Sequence, residues 1–367
     1  MGGIQEISAR IGRVTGRGLA GNLRRHFPRP ALYAVVCALL AANIINIAAD
    51  IGAMSAALHM LFGGSPVAYI VAFGAGTATL QVFVPYHRYV AVLKWLCVAL
   101  FGYVGIGFVV RVPWGDVFRA TLTPSVHWTP ALLTTVVAIF GTTISPYLFF
   151  WQASEEVEEQ RLEPGEMPLK IAPEQSDDQL GRMTADTWFG MAVSNVVAFF
   201  VMLTAAVMFH AHGITGIQTT MQAAEALRPV AGNFAHLLFS FGIIGTGLLA
   251  LPVLAGSSAY AVGEAMQWPT GLEKSPRAAS GFYLLIAVST IAGVGLNVLR
   301  FDPIRALFWS AVINGVASAP IMIAIMLLAT RPAVMGEFTL PARLRILGWS
   351  ATAVMTVMAA ALLVTLR

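Results

Sequence analysis

The stretch Phe140–Gln152, FGTTISPYLFFWQ, decides how the rest of the chain is read. Apolar sequence flanks it on both sides, yet its centre holds Gly141, Thr142, Thr143, Ser145 and Pro146. Pro146 has no N–H, so in a continuous helix the carbonyl of Thr142, four residues back, loses its partner, and the proline ring clashes with that turn. Gly141 eases unwinding, and Thr143 and Ser145 bring hydroxyls to the same level. The pattern predicts a helix broken between Gly141 and Tyr147. A plain proline kink is the alternative on these residues alone.

What such a break means depends on the solvent. Hydrophobic residues make up 57% of the 367 and charged residues only 11%, against about a quarter charged in an ordinary soluble domain. A helix needs ~20 apolar residues to cross a bilayer core. Runs of that kind lie at about 31–62, 66–85, 89–110, 129–152, 187–210, 234–262, 280–299, 303–329 and 345–366. Alternating-hydrophobicity decads, the mark of a membrane barrel, are absent. The fold class expected is an all-α polytopic membrane protein forming a single transmembrane domain over 1–367. In a bilayer, irregular backbone survives only where it is buried in protein or lines a cavity, and secondary transporters use discontinuous helices of this kind to bind substrate and coupling ions.

The net charge of +4 is topological. If the residues before the first full span are cytoplasmic, sixteen of the 22 Lys and Arg fall on the cytoplasmic side and six on the other, a positive-inside bias that fixes orientation. The balance gives no support to a nucleic-acid partner. The expected location is the cell (inner) membrane, multi-pass, with the lipid bilayer as surroundings. Cys37 and Cys97 fall inside predicted spans without a CxxC-like neighbour and are expected to be buried, inert thiols. Residues 1–20 carry a partial apolar face (Ile4, Ile7, Ala9, Ile11, Val14) interrupted by Glu6, Arg10 and Arg13, and resemble the cytoplasmic remnant of a span. GRVTGRG within this segment lacks the Gly-Lys-Ser/Thr ending of a phosphate loop. The one long polar connection, 153–185, begins SEEVEEQRLEPGEMPLK and is expected to be a solvated cytoplasmic loop extending a helix end; a regulatory or metal-sensing acidic patch is the other reading. No HExxH, no Gly-x-Ser-x-Gly and no carboxylate pair within a span suggests an enzyme.

Charges inside a bilayer cost ~2.5–3.5 kcal/mol each at its centre on insertion scales. Asp50, in AANIINIAADIGAMSAAL, is the carboxylate set deepest in a span. Asn43 and Asn46 precede it by seven and four residues and share its helical face. The group reads either as a polar tie between helices or as a protonatable relay on an ion pathway. His59, His127, His210 and His212 sit at predicted span ends and read as interfacial.

Three segments, GTTISPYLFFWQASEEVEE, ISARIGRVTGRGLAG and LFWSAVINGVASAP, together resemble the natural resistance-associated macrophage protein (NRAMP) metal-transporter family, and more closely its bacterial NRAMP-related branch. The resemblance spans almost the whole chain. It implies a LeuT-like inverted-repeat fold and proton-linked uptake of divalent metal, with metal and protons as transported species and no cofactor. By position, the family's broken-helix signature Ala-x-x-Met-Pro-His falls on Thr142, Ser145, Pro146 and Tyr147. The resemblance therefore implies the Thr142 carbonyl and the Ser145 hydroxyl as metal ligands, the hydroxyl replacing a thioether. Asn314 matches a polar residue near the metal loosely, and Asp50 matches an acid associated with proton movement, whose partner acid is Ala53 here. The family's first helix, with its Asp-Pro break, has no counterpart in the sequence, so an N-terminally truncated chain with half of the site is expected. A truncated, non-transporting membrane protein and a symporter for an organic solute on the same fold are the alternatives.

Overall fold

The computed structural model describes residues 1–84, 88, 91, 95, 101, 104, 112–123, 129–208, 213, 217, 220–225, 232–297 and 303–365. Most of the run 89–110, and Cys97, His127, His210 and His212, lie outside the described residues. The helices in chain order are α1 Gly2–Thr15, α2 Leu19–His26, α3 Arg29–Phe62, α4 Pro66–Phe83, α5 Trp114–Leu122, α6 Pro130–Thr143, α7 Pro146–Leu162, α8 Ser176–Met208, α9 Thr220–Glu225, α10 Ala235–Met266, α11 Ser280–Leu296, α12 Pro303–Ala329, α13 Pro332–Met335 and α14 Ala342–Thr365. There is no strand among the described residues. Seven of the described helical segments are long and apolar enough to cross a membrane, with α6 and α7 counted as one, and α11 is a shorter apolar helix.

Helix α3 is the hub. It packs against α4, α10, α11 and α12, while α12 also carries α6 and α14. Helix α7 lies between α1 and α10, and α1 leans on α8. With lipid outside, such packing rests on close backbone approach and polar ties rather than on apolar burial. Two contacts show this. A methyl group added at Gly141 would collide with the carbonyl oxygen of Ala311 on α12, and one at Gly12 with that of Ala153 on α7. Gly141→Ala is thus expected to force α6 from α12 and cost about 1–3 kcal/mol or more; thermal unfolding of the purified protein measures it. The small-residue run of α10 works in the same way, with Gly247 receiving Met54 of α3 and Gly256 receiving Trp151 of α7.

The N-terminal segment is more integrated than its charge pattern suggested. Ile4, Ile7, Ile11 and Val14 lie in the core. The residues that interrupt this face are bonded: buried Glu6 accepts from Trp188 Nε1 (2.7 Å) and Thr184 Oγ1 (3.2 Å) of α8, and buried Arg13 holds carboxylates of α7.

The connection expected at 153–185 is mostly helical. Helix α7 runs on to Leu162 and α8 starts at Ser176, so only 163–175 links them, with a 3-10 turn at Pro173–Gln175. Nor is its acidic run simply solvated. Glu156, 5% exposed, binds Arg13 Nε at 2.5 Å and accepts from Gln152 Nε2 at 2.7 Å. Glu166 binds Arg13 Nη1 at 2.8 Å. The acids at 155, 156, 158 and 159 do extend the end of a helix, as expected, but as part of α7 packed on α1 rather than as a solvated loop. Cys37 is exposed rather than buried. Val36, Leu39, Asn43 and Asn46 form the buried face of α3, and Cys37 falls beside it on the outer one.

Candidate functional site

The chain leaves helical geometry at Ile144 (φ −110°, ψ 64°) and Ser145 (φ −82°, ψ 121°), between the end of α6 at Thr143 and the start of α7 at Pro146. Extended backbone is what the residue before a proline favours. Proline alone is not sufficient, since α10 carries Pro252 and α12 carries Pro320 without ending. At Ser145 the freed backbone groups gain replacement partners. Ser145 Oγ donates toward the carbonyls of Gly141 (2.9 Å) and Thr142 (3.2 Å), both within reach of its single proton. The Ile144 carbonyl accepts from Ser318 Oγ of α12 at 2.5 Å. A break so satisfied persists in a low-dielectric interior.

The expected site residues fall into two groups. Ser145, 2% exposed, and Asn314, 3% exposed, are buried where α6 and α7 meet α12. On α12 the spacing Ala311, Asn314, Gly315 and Ser318 sets one face toward the break: Ala311 and Gly315 receive Gly141, and Ser318 reaches Ile144. Asn314 Oδ1 is buried without a hydrogen-bond partner among the described residues. An unpaired buried carbonyl costs about 1–3 kcal/mol, and it is the donor atom that a cation would use. The hydroxyls of Thr142 and Thr143 are directed into α6 itself, to the Ile139 carbonyl at 2.8 and 2.9 Å. Thr142 therefore offers the break its carbonyl rather than its side chain. Gly141 serves packing, and Pro146 starts α7.

Asp50 on α3 is half-buried and lies near Tyr147, the second residue of α7. Its two helical neighbours serve another purpose. Asn43 Nδ2 bonds the Leu254 carbonyl (3.1 Å) and the hydroxyls of Ser257 and Ser258 (both 2.9 Å), tying α3 to α10, and Asn46 bonds its own helix at Ala42. Among the described residues no group of three or more His, Cys, Asp and Glu could hold a metal ion. A site at the break would therefore be built from carbonyl, hydroxyl and amide oxygens.

Sequence reasoning missed the polar layer on the C-terminal half of α7. Glu158 accepts from Tyr260 Oη of α10 and from the backbone N–H of Leu272 (3.1 Å) and Glu273 (2.7 Å). Glu264 of α10 accepts from Ser154 Oγ and Gly21 N, both at 2.9 Å. Their signal was the spacing of Tyr147, Trp151, Ser154, Glu155 and Glu158 on one side of α7.

A bundle of apolar helices around one interrupted span, with an oxygen-lined break beside a buried, unpaired amide, defines a class: multi-pass membrane proteins with a discontinuous helix. The family model described as natural resistance-associated macrophage protein-like (Nramp) matches residues 1–365, and the chain belongs to that family. A relative named "Divalent metal cation transporter MntH" from Klebsiella pneumoniae (strain 342) is 25% identical over 362 residues, covering 96% of this chain and 80% of the relative. One with the same name from Mesorhizobium japonicum is 26% identical over 253 residues, covering 67% of this chain and 54% of its own. Among solved structures, the Eremococcus coleocola manganese transporter mutant H236A superposes with a TM-score of 0.76 at 16% identity, covering 98% of this chain and 76% of that one. The same transporter in complex with an aromatic bis-isothiourea compound gives 0.73 at 14% identity, with 98% and 76% covered. The likeness shows a shared fold, the LeuT-like arrangement. The chain is a multi-pass membrane protein of a transporter family, and not an enzyme.

Proposed function

We propose that the protein carries divalent metal ions across the inner membrane, linked to protons, with the ion bound at the α6–α7 break. The observation that carries this reading is the buried, unpaired Oδ1 of Asn314, on the helix whose Ala311, Gly315 and Ser318 pack on a break in a membrane helix. The names of the relatives support the substrate class. In this reading Asn314 Oδ1, the Thr142 carbonyl and a lone pair of Ser145 Oγ share the cation, and Ser145 turns its proton away from Thr142 as the ion arrives. The metal is cargo, and no resident cofactor is invoked.

Asn314→Ala tests the site. The alanine variant loses no hydrogen bond to the described residues, so its thermal stability is expected to match or exceed the parent. Manganese uptake into proteoliposomes holding the full chain is expected to fall about tenfold or more, as loss of a ~1.5–3 kcal/mol charge-assisted contact implies. Unchanged uptake would remove Asn314 from the site. Uptake by the parent no greater than in empty vesicles would favour a non-transporting protein.

Asp50, near Tyr147 and one turn beyond Asn46, is assigned to proton movement. Asp50→Asn is expected to flatten the pH dependence of uptake while leaving manganese affinity within about threefold, since the ligands proposed at the break are Asn314, Thr142 and Ser145. An unchanged pH profile with the variant correctly folded would rule the relay out.

A further inference from the structure

A cavity of about 390 Å³ opens on the face that the positive-inside bias assigns to the cytoplasm. Arg17, Arg24, Arg25 and Arg161 line it, contributed by the α1–α2 turn, α2 and α7. Two carboxylates also line it, Glu264, which accepts from Ser154 Oγ and Gly21 N and feels the charge of Arg161, and Glu158, which accepts from Tyr260 and the backbone of Leu272 and Glu273; against these two acids the four arginines leave an excess of positive charge. Arg24 is held in place, with Nη1 on the Ala265 carbonyl and Nη2 on Gln267 Oε1 at 3.0 Å. The guanidinium groups of Arg17, Arg25 and Arg161 make no hydrogen bond or ion pair with any described residue, and all three residues are exposed. His26 next to them is pushed below its ordinary pKa, first by burial and then by Arg25, Lys170, Arg331 and Arg17, so a positive field extends beyond the cavity wall.

The height of the cavity identifies what fills it. Two membrane-length segments begin or end within a few residues of its lining: α3 starts at Arg29, four residues after Arg25, and α10 ends at Met266, next to Gln267. The cavity therefore lies at the bilayer surface. Trp268, 42% exposed, and Met266, 45% exposed, stand at the same rim beside Gln267, and aromatic side chains gather at the headgroup level. Guanidinium groups bind phosphate oxygens in bidentate fashion, and basic pockets between membrane helices on the cytoplasmic side suit anionic headgroups.

We propose that this cavity is a phosphate-binding site occupied by the headgroup of an anionic phospholipid, gripped by Arg17, Arg25 and Arg161 while Arg24 fixes the wall. The acyl chains leave along the outer faces of α3 and α10. One wall of the site is α7, which continues directly from the break, so occupancy braces α7 against α2.

The test counts lipids retained by the purified full chain in native mass spectrometry, with dioleoylphosphatidylglycerol titrated against dioleoylphosphatidylcholine. The parent is expected to retain phosphatidylglycerol in preference to phosphatidylcholine. R17A/R25A/R161A is expected to weaken that retention on the order of a hundredfold, three basic contacts at a membrane surface being lost. R17K/R25K/R161K keeps the charge and is expected to recover part of the affinity. Should the triple alanine variant not fold, R25A and R161A singly are read in the same way. Equal retention of phosphatidylglycerol by the parent and the alanine variants would overturn the proposal, as would equal retention of the two lipids by the parent. Inorganic phosphate in a third arm is expected not to displace the lipid at matched concentration; displacement would overturn the lipid assignment in favour of a soluble phosphate compound.

Discussion

Replacing Arg13 by alanine is expected to destabilise the fold by about 3–5 kcal/mol, the usual penalty for stripping one partner from a buried ion pair. Arg13 is 4% exposed and spends its guanidinium on three carboxylates: Nε on Glu156 and Nη2 on Glu159, both at 2.5 Å, and Nη1 on Glu166 at 2.8 Å. Those contacts join α1 to α7 and to the link before α8. Without the arginine, Glu156 stays buried with Gln152 as its remaining donor, and three acids face one another. Lysine is a poor substitute because one ammonium cannot present the planar fork. Arg182, whose side chain is half exposed, also binds Glu166, and Arg182→Ala is expected to cost no more than ~1 kcal/mol, as exposed pairs do. Thermal or denaturant unfolding of the two variants side by side measures the contrast. Equal losses would show that burial does not decide the worth of this cluster.

The second large effect concerns selectivity. Ser145→Met restores at the break the thioether that the family signature carries there. Soft sulfur ligands favour soft ions, whereas hydroxyl, carbonyl and amide oxygens suit manganese and magnesium. Magnesium in particular keeps several of its waters and tolerates an oxygen-lined, roomier site. The parent is therefore expected to take manganese or magnesium in preference to cadmium. The methionine variant is expected to gain cadmium competition on the order of tenfold, worth ~1.4 kcal/mol. The substitution also removes the Ser145 hydroxyl from the carbonyls of Gly141 and Thr142, so monodispersity and unfolding temperature must be checked together with uptake. Cadmium competition that is already strong in the parent would contradict an all-oxygen site.

How far these residues could be read from sequence differs from one to the next. Pro146 announced the break within one turn of its true place, because a missing N–H is a local fact. What keeps the break open was not local: Ser318, which covers the Ile144 carbonyl, lies 174 residues away. The acidic run after Gln152 reads locally as a solvated loop extending a helix end for the same reason, since Arg13 stands 143 residues before Glu156. Cys37 illustrates a different limit. In lipid the outside of a helix is as apolar as the inside, so hydrophobicity marks the span without marking its buried face. Asn43 and Asn46 lie on the buried face of α3, as their spacing predicts, but the bonds of Asn43 to Leu254, Ser257 and Ser258 show a tie between helices.

The central claim is that a divalent cation binds among the oxygens at the α6–α7 break. Anomalous diffraction from crystals of the full chain grown with manganese addresses it most directly. The account predicts one strong peak within coordination distance of Asn314 Oδ1 and the Thr142 carbonyl, with Ser145 Oγ turned toward it, and loss of that peak in Asn314→Ala. A peak among Glu155, Glu158 and Glu273, or no peak at saturating manganese, would contradict it.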